Sequence, residues 1–406
     1  MKTIYILNWH NTYNYGTFMM LINFIAYTYN ASEDKNLKFV VDFLEKNDLN
    51  RLQKELNNKE INIEILISKK NPPIKNIFDK FSKLSFMLFK FEKEILHYKP
   101  DTVVVLWWDD FSEYYWKLAI AIYMKIIIRL SKKVKLFFIG QTVWPFTTYN
   151  QKIAYDLFSN VDITLRDTLC YNYMKDTLNI SEDRMKCFSD LAFLDLPLQS
   201  TIKTKEEYKL IDNEYITFIA SWLYFKYTQD KDLYVSELLK IINYLKDKFP
   251  NKKIVMLWHV LLPEVANDNN IIDDLKVHLQ GDNSIIYIQE KLLSSEARSI
   301  LSWTYLTITW RMHAAISTLQ TGKPAISLSY SVKYKWIISD DLWLSELVVE
   351  SKWHDKWISW EVYNKTVESI DFVDTNYTDI TTKIKTAVEK SKKLSIENID
   401  YFIKNI

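Results

Sequence analysis

Apolar and polar positions along this 406-residue chain follow a repeating order. A short apolar run is followed by a longer stretch in which apolar residues recur every third or fourth position. The short runs read as buried strands and the longer stretches as amphipathic helices. In the first half strands are expected over Thr3–Leu7, Lys38–Phe43, Ile61–Ile67, Thr102–Leu106, Lys135–Ile139 and Asp162–Leu165. Helices are expected over Thr17–Tyr29, Lys75–Tyr98 and Tyr114–Leu130, with a loop over His10–Gly16. The pattern lapses after Leu194 into a polar stretch, Pro197–Asn213, suited to a linker.

A second alternating half then begins. Its expected strands are Tyr215–Ile219, Lys253–Leu257, Ser284–Ile288, Tyr305–Thr309 and Pro324–Leu328, and its helices Leu233–Lys248, Asn270–Leu279, Ser294–Ser302 and Met312–Thr321. The tail from Thr378 to Ile406 has a helical period and is expected to pack back across the first half. Alternation of this kind is the grammar of parallel, doubly wound sheets. The expected architecture is α/β, with two Rossmann-like domains facing a cleft: residues 1–197, a linker 198–213, residues 214–375 and a helical tail 376–406. Open sheets of this type take ligands at the carboxyl ends of their strands, so the residues that matter should stand just after strands.

Composition narrows the function classes. The formal net charge is +1, from 52 basic and 51 acidic residues, which leaves no global basic footprint for nucleic acid. Two cysteines, Cys170 and Cys187, have no zinc spacing and make no disulfide framework, so a reducing cytoplasm fits. The N-terminal apolar run Ile4–Leu7 is too short for a secretory segment. No stretch reaches the roughly 18 apolar residues of a membrane span, since Leu118–Leu130 is broken by Lys125 and Arg129. The expected location is cytoplasmic, with peripheral contact at the inner membrane face left open.

One imbalance stands out: 4 Gly against 14 Trp, where average glycine usage is about 7%. Several tryptophans occupy positions where a turn asks for glycine. Trp107-Trp108 follow a strand, Trp144 precedes Pro145, Trp310 precedes Arg311, and Trp336, Trp343, Trp353, Trp357 and Trp360 recur at loop-like intervals. UGA codons that mean glycine in the source, read here as tryptophan, would account for this. A tryptophan-rich carbohydrate binder that stacks rings on sugars is the bland alternative.

The chemistry concentrates between Thr309 and Leu347. Arg311 and His313 stand at a strand-to-helix junction, where helix-terminal N–H groups favour an anion, and Gly322-Lys323-Pro324 leads to Tyr330 and Lys333. Arg166-Asp167 follows the strand Asp162–Leu165 and reads either as an anion clamp or as a structural ion pair at a helix start. Asp109 and Asp110 follow another strand as a candidate base and hydroxyl ligand. His10, Asn14 and Gly16 lie in the first strand-to-helix loop. There is no dinucleotide fingerprint and no metal-ligand spacing, so neither a nicotinamide cofactor nor a metal is expected.

Several pieces, taken in order, resemble the polysaccharide pyruvyl transferase family. They are Tyr13-Asn14-Tyr15-Gly16, Val103–Asp110, Gly140–Phe146, Thr164-Leu165-Arg166-Asp167, Asp190–Phe193, and above all Arg311-Met312-His313-Ala314-Ala315 with Gly322-Lys323-Pro324, Tyr330–Lys333 and Asp341-Leu342. The departures are nearly all Trp where the family places Gly, at 107, 108, 144 and 310. The resemblance implies a fold like that of GT-B glycosyltransferases and transfer of a pyruvyl group from phosphoenolpyruvate to a sugar diol, forming a cyclic ketal in exopolysaccharide or cell-wall synthesis. Phosphoenolpyruvate is then a co-substrate, and the acceptor a free or lipid-linked sugar. On this reading His313 is the general acid, Arg311 and Arg166 bind the donor anion, and Asp110 joins the catalytic set. Lys333, Tyr330, Asn14, Gly16 and Asp109 contact substrate. A nucleotide-sugar glycosyltransferase of the same architecture and a noncatalytic carbohydrate-binding protein are the competing readings.

Overall fold

The computed structural model describes residues 1–43, 46–67, 91–106, 113, 117–200 and 204–406, without the side chains of 8–10, 43, 67 and 117–119. Trp107 to Asp110 and most of the expected helix Lys75–Tyr98 lie outside the described residues. The chain divides into two compact units. The first comprises 1–11, 20–191 and 393–406, and the second 12–19 and 192–392.

The first unit is built on a seven-stranded sheet. Its strands are β1 (Lys2–His10), β2 (Leu37–Phe43), β3 (Asn62–Ile67), β4 (Thr102–Leu106), β5 (Lys135–Gln141), β6 (Asp162–Leu165) and β7 (Met185–Cys187). They lie in the order β3-β2-β1-β4-β5-β6-β7, and every pairing is parallel. All five residues of β4 are buried, as an apolar run with helices on both faces requires. Connecting helices are α1 (Tyr15–Ala31), α2 (Lys46–Leu56), α3 (Phe91–His97), α4 (Lys117–Ser131), α5 (Thr148–Phe158) and α6 (Thr168–Asn172).

The second unit repeats this logic. Strands β8 (Tyr215–Ile219), β9 (Lys253–Leu257), β10 (Ile285–Ile288), β11 (Leu306–Thr309), β12 (Ala325–Ser329) and β13 (Val348–Glu350) form a sheet in the order β10-β9-β8-β11-β12-β13, again parallel throughout. Its helices are α7 (Lys231–Lys248), α8 (Asn269–His278), α9 (Ser294–Ser302), α10 (Met312–Gln320), α11 (His354–Ile358), α12 (Glu361–Thr375) and α13 (Tyr377–Lys404). The strand order reverses beside β8, between β8 and β11, which is where sheets of this type open a ligand crevice.

The expected elements of the second half match to within a residue or two, whereas α2, α5, α12, β7 and β13 were not legible. The segment from Ala192 joins the second unit because the buried Arg298 on α9 donates to the carbonyls of Ala192 at 2.7 Å and Leu194 at 2.8 Å. Residues 393–406 of α13 belong to the first unit, where Phe402 packs on Phe24 and Phe137, each at 5.2 Å between ring centroids. Trp336 and Trp357 stand inside helical turns, not in the loops their spacing suggested.

Candidate active site

The second unit brings three strand ends together through one carboxylate. After β11 the chain passes through Trp310, whose backbone N–H still donates to the Ile219 carbonyl of β8 at 3.0 Å, and Arg311 then caps α10 in an extended conformation (φ −118°). The Arg311 guanidinium folds onto Asp268. Nη2 lies 2.5 Å from Oδ1, Nε lies 3.2 Å from both oxygens, and Nη2 also reaches the Ala266 carbonyl at 2.9 Å. Asp268 further accepts from the backbone N–H of Trp222, His259 and Val260 at 3.2, 3.3 and 2.9 Å. The loops that follow β8, β9 and β11 are therefore tied to a single buried acid. Burial pushes the Asp268 carboxyl up, while Arg311 and the backbone donors pull it back down. Burial works against the Arg311 cation, but Asp268 more than offsets it and holds the guanidinium above its ordinary value. An arginine fixed at two of its nitrogens presents the third in a set direction, which suits bidentate or charge-assisted recognition of an oxyanion.

His313 is the second residue of α10, half-buried, and Gly16 faces it. A Cβ placed on Gly16 would overlap Cβ and Cγ of His313 and stand 2.5 Å from Nδ1. Gly16 is thus required by close approach and not by a left-handed backbone. The segment around it is sewn down: Asn14 bridges to Val260, Tyr15 N–H donates to the His259 carbonyl at 3.2 Å, Leu261 N–H donates to the Tyr13 carbonyl at 2.9 Å, and Asn14 Oδ1 accepts from Thr17 N–H at 3.5 Å as α1 begins. Asn14, Gly16, Arg311 and His313, far apart in sequence, thereby belong to one neighbourhood.

His259 completes it. Its ring is 1% exposed and edge-on to Tyr15 at 5.5 Å. Burial first, then the charges of His313, Arg311 and Arg298, push its pKa well down and disfavour the imidazolium. His259 and Asp268 were not singled out from sequence. The strand before His259 was a usable signal, whereas Asp268 lies in a loop with no pattern to mark it. Tyr330 and Lys333 stand a layer back. The Tyr330 ring packs on Tyr227 and Tyr334 at 5.3 and 5.8 Å, Lys333 Nζ lies 5.9 Å from its centroid, and the Tyr227 and Tyr334 hydroxyls hold the Trp310 carbonyl at 3.0 and 2.8 Å.

In the first unit Arg166 is 4% exposed and closed on Asp190, Nη1 to Oδ2 at 2.8 Å, with Nε donating to Thr142 at 2.8 Å. Asp167 caps α6 by accepting from Cys170 N–H at 2.8 Å. The geometry is that of the ion-pair alternative, with the partner being Asp190 and not Asp167. Asp109, Asp110 and the His10 side chain lie outside the described residues. No group of metal-ligating side chains is found among the described residues, and none of the described helices is long and apolar enough to cross a membrane.

The sequence profile of polysaccharide pyruvyl transferase matches residues 49–332, more than half of the chain. The chain belongs to the polysaccharide pyruvyl transferase family. The match includes Arg311 and His313, begins after Gly16 and ends just before Lys333. No curated protein matches the chain in sequence. Among solved structures, UDP-GlcNAc 2-epimerase from Neisseria meningitidis bound to UDP-GlcNAc is similar at 12% identity and a TM-score of 0.66, with all of both chains covered. The S. aureus MnaA–UDP co-structure is similar at 13% identity and 0.62, covering 100% of this chain and 98% of the other. A glycosyltransferase from Rickettsia africae is similar at 13% and 0.54, with 100% and 98% covered. At such identities the likeness is one of fold. This member of the family has the two-domain α/β architecture of GT-B-like proteins.

Proposed function

We propose that this family member transfers the pyruvyl group of phosphoenolpyruvate to a sugar diol of a polysaccharide or its precursor. The observation that carries the reading is the pairing of Arg311, fixed by Asp268, with His313, seated on Gly16, at the start of α10. The donor has a phosphate and a carboxylate. Arg311 and the first N–H groups of α10 receive one of them. Arg166, already held by Asp190, is left out of this clamp.

His313, as imidazolium, protonates the methylene carbon of the enol, making C2 an oxocarbenium-like centre. A sugar hydroxyl then attacks C2 and loses its proton. The C2–O bond to phosphate breaks, and the second hydroxyl closes the ketal. The products are the ketal and inorganic phosphate. General acid catalysis at this step contributes about 10²–10⁴-fold. Asp109 and Asp110 are assigned to the acceptor hydroxyls on sequence grounds, with the acceptor presented in the cytoplasm.

The reading applies to a chain with glycine at 107, 108, 144 and 310, the positions where tryptophan departs from the family pattern. The test is phosphate release from phosphoenolpyruvate, dependent on a sugar acceptor, by the glycine-bearing chain and its His313→Ala variant. Acceptor-dependent release lost in the variant supports the proposal. Thermal protection by uridine- or guanosine-linked sugars, and none by phosphoenolpyruvate, sinks it.

A further inference from the structure

Three helix ends in the second unit hold tryptophan in backbone conformations that it avoids. Trp343 (φ 57°) follows the helical turn Lys335–Asp341, with Leu344 N–H closing back on the Ile338 carbonyl at 3.0 Å. Trp360 (φ 62°, ψ 14°) joins α11 to α12. Trp353 (φ 92°, ψ 124°) precedes α11. Glycine is the usual residue at left-handed helix ends, and for a bulky side chain they are outliers. This chain follows the rule where α10 stops: Gly322 has φ 80°, its N–H meets the Leu319 carbonyl at 2.8 Å, and Lys323 N–H meets that of Thr318 at 3.3 Å. The three tryptophans are 76%, 58% and 53% exposed in chain order, so burial does not account for them.

Two further tryptophans stand directly after strands. Trp258 follows β9 and Trp310 follows β11, on either side of β8. Both are wholly buried, and neither indole N–H makes a hydrogen bond, whereas the indole of Trp357 donates to the Ser351 carbonyl at 2.7 Å. Trp258 lies on Tyr15 at 4.5 Å and Trp310 on Phe218 at 5.2 Å. The adjoining His259 Nε2, also buried, makes no hydrogen bond either. Buried polar atoms are nearly always paired, and here three unpaired ones stand just after β9 and β11, the strands that flank β8, at the carboxyl ends where such sheets take ligands.

We infer that the working protein carries glycine at positions 258, 310, 343, 353 and 360, and that the space filled here by the indoles of Trp258 and Trp310 receives an oxyanion of the substrate. His259 Nε2 and Arg311 Nη1, the guanidinium nitrogen not used by Asp268, are its polar wall. The inference deepens the donor site proposed above and rests on that reading for the identity of the anion.

Two chains test it against the present one. With glycine at 343, 353 and 360 only, the melting temperature should rise by about 3 °C, and a fall overturns the assignment at those positions. With glycine at all five, the protein should remain folded and bind inorganic phosphate at least tenfold more tightly than the present chain, with the gain lost in His259→Phe. Collapse of the five-glycine chain while the three-glycine chain is stabilised overturns the pocket, as does a folded five-glycine chain with unchanged phosphate affinity. Phosphate binding without any preference for phosphoenolpyruvate upholds the pocket and counts against the pyruvyl donor.

Discussion

Replacing Trp343, Trp353 and Trp360 together by glycine should stabilise the second unit, although exchanging tryptophan for glycine ordinarily does the reverse. A left-handed backbone costs an L-residue roughly 1–2 kcal/mol, and the more sparsely populated conformation of Trp353 about 1–3 kcal/mol. Glycine gives back roughly 0.5–1 kcal/mol per site through the freedom it adds to the unfolded chain. The rings also lie near Lys390, Lys352 and Lys240, at 5.1, 4.5 and 3.9 Å, contacts worth about 0.5 kcal/mol each at exposed positions. The midpoints of these ranges leave a net gain of about 1 kcal/mol. At roughly 2–4 °C per kcal/mol for a unit of this size, calorimetry should register a rise of about 3 °C. Trp357→Gly is the control: that indole is buried with its N–H paired, and its loss should cost about 3–5 kcal/mol. If the triple variant melts lower than the parent, the argument from backbone conformation fails.

Other outcomes follow from particular contacts. Asp268→Asn leaves Arg311 buried without its counter-charge and should cost about 3–5 kcal/mol in denaturant unfolding; a cost below 1 kcal/mol would show that Asp268 does not organise the three loops. Gly16→Ala forces a Cβ into His313, and overpacking of this kind costs typically 1–3 kcal/mol, so activity should drop while a substitution at nearby exposed Lys291 leaves it unchanged. Asp42, on β2, is pushed up to about 7 by burial and by Glu94. Its folded pKa exceeds its unfolded one near 3.9, so the folded state binds the extra proton and stability should fall as pH rises from about 4 to 7. The difference between the two amounts to about 4 kcal/mol, and Asp42→Asn should flatten that slope in melting curves taken from pH 5 to 8. An unchanged slope would reject the assignment.

Much of the fold was written in periodicity. Strands such as Tyr215–Ile219 and Lys253–Leu257 are continuous apolar runs because a parallel sheet buries both faces, and such runs are hard to mistake. Helix α2 escaped because its buried face includes Asp48, Arg51 and Glu55, which a hydrophobicity pattern counts as polar. Strands β7 and β13 have three residues each, too few for any period to register. In the candidate site, Arg311 and His313 could be singled out because a short motif at a strand end carries its own chemistry. Asp268 was not, since its contacts come from three loops meeting in space, and the buried partner of Arg166, Asp190, lies 24 residues further along, outside any local motif.

The most direct test of the account is phosphate release from phosphoenolpyruvate in the presence of a sugar diol, followed together with an acid-labile pyruvate ketal on the acceptor, using the chain with glycine at 107, 108, 144, 258, 310, 343, 353 and 360. The account predicts stoichiometric phosphate and ketal, reduced at least about 10²-fold in His313→Ala. A folded glycine chain that forms no ketal, or forms it equally well without His313, contradicts it.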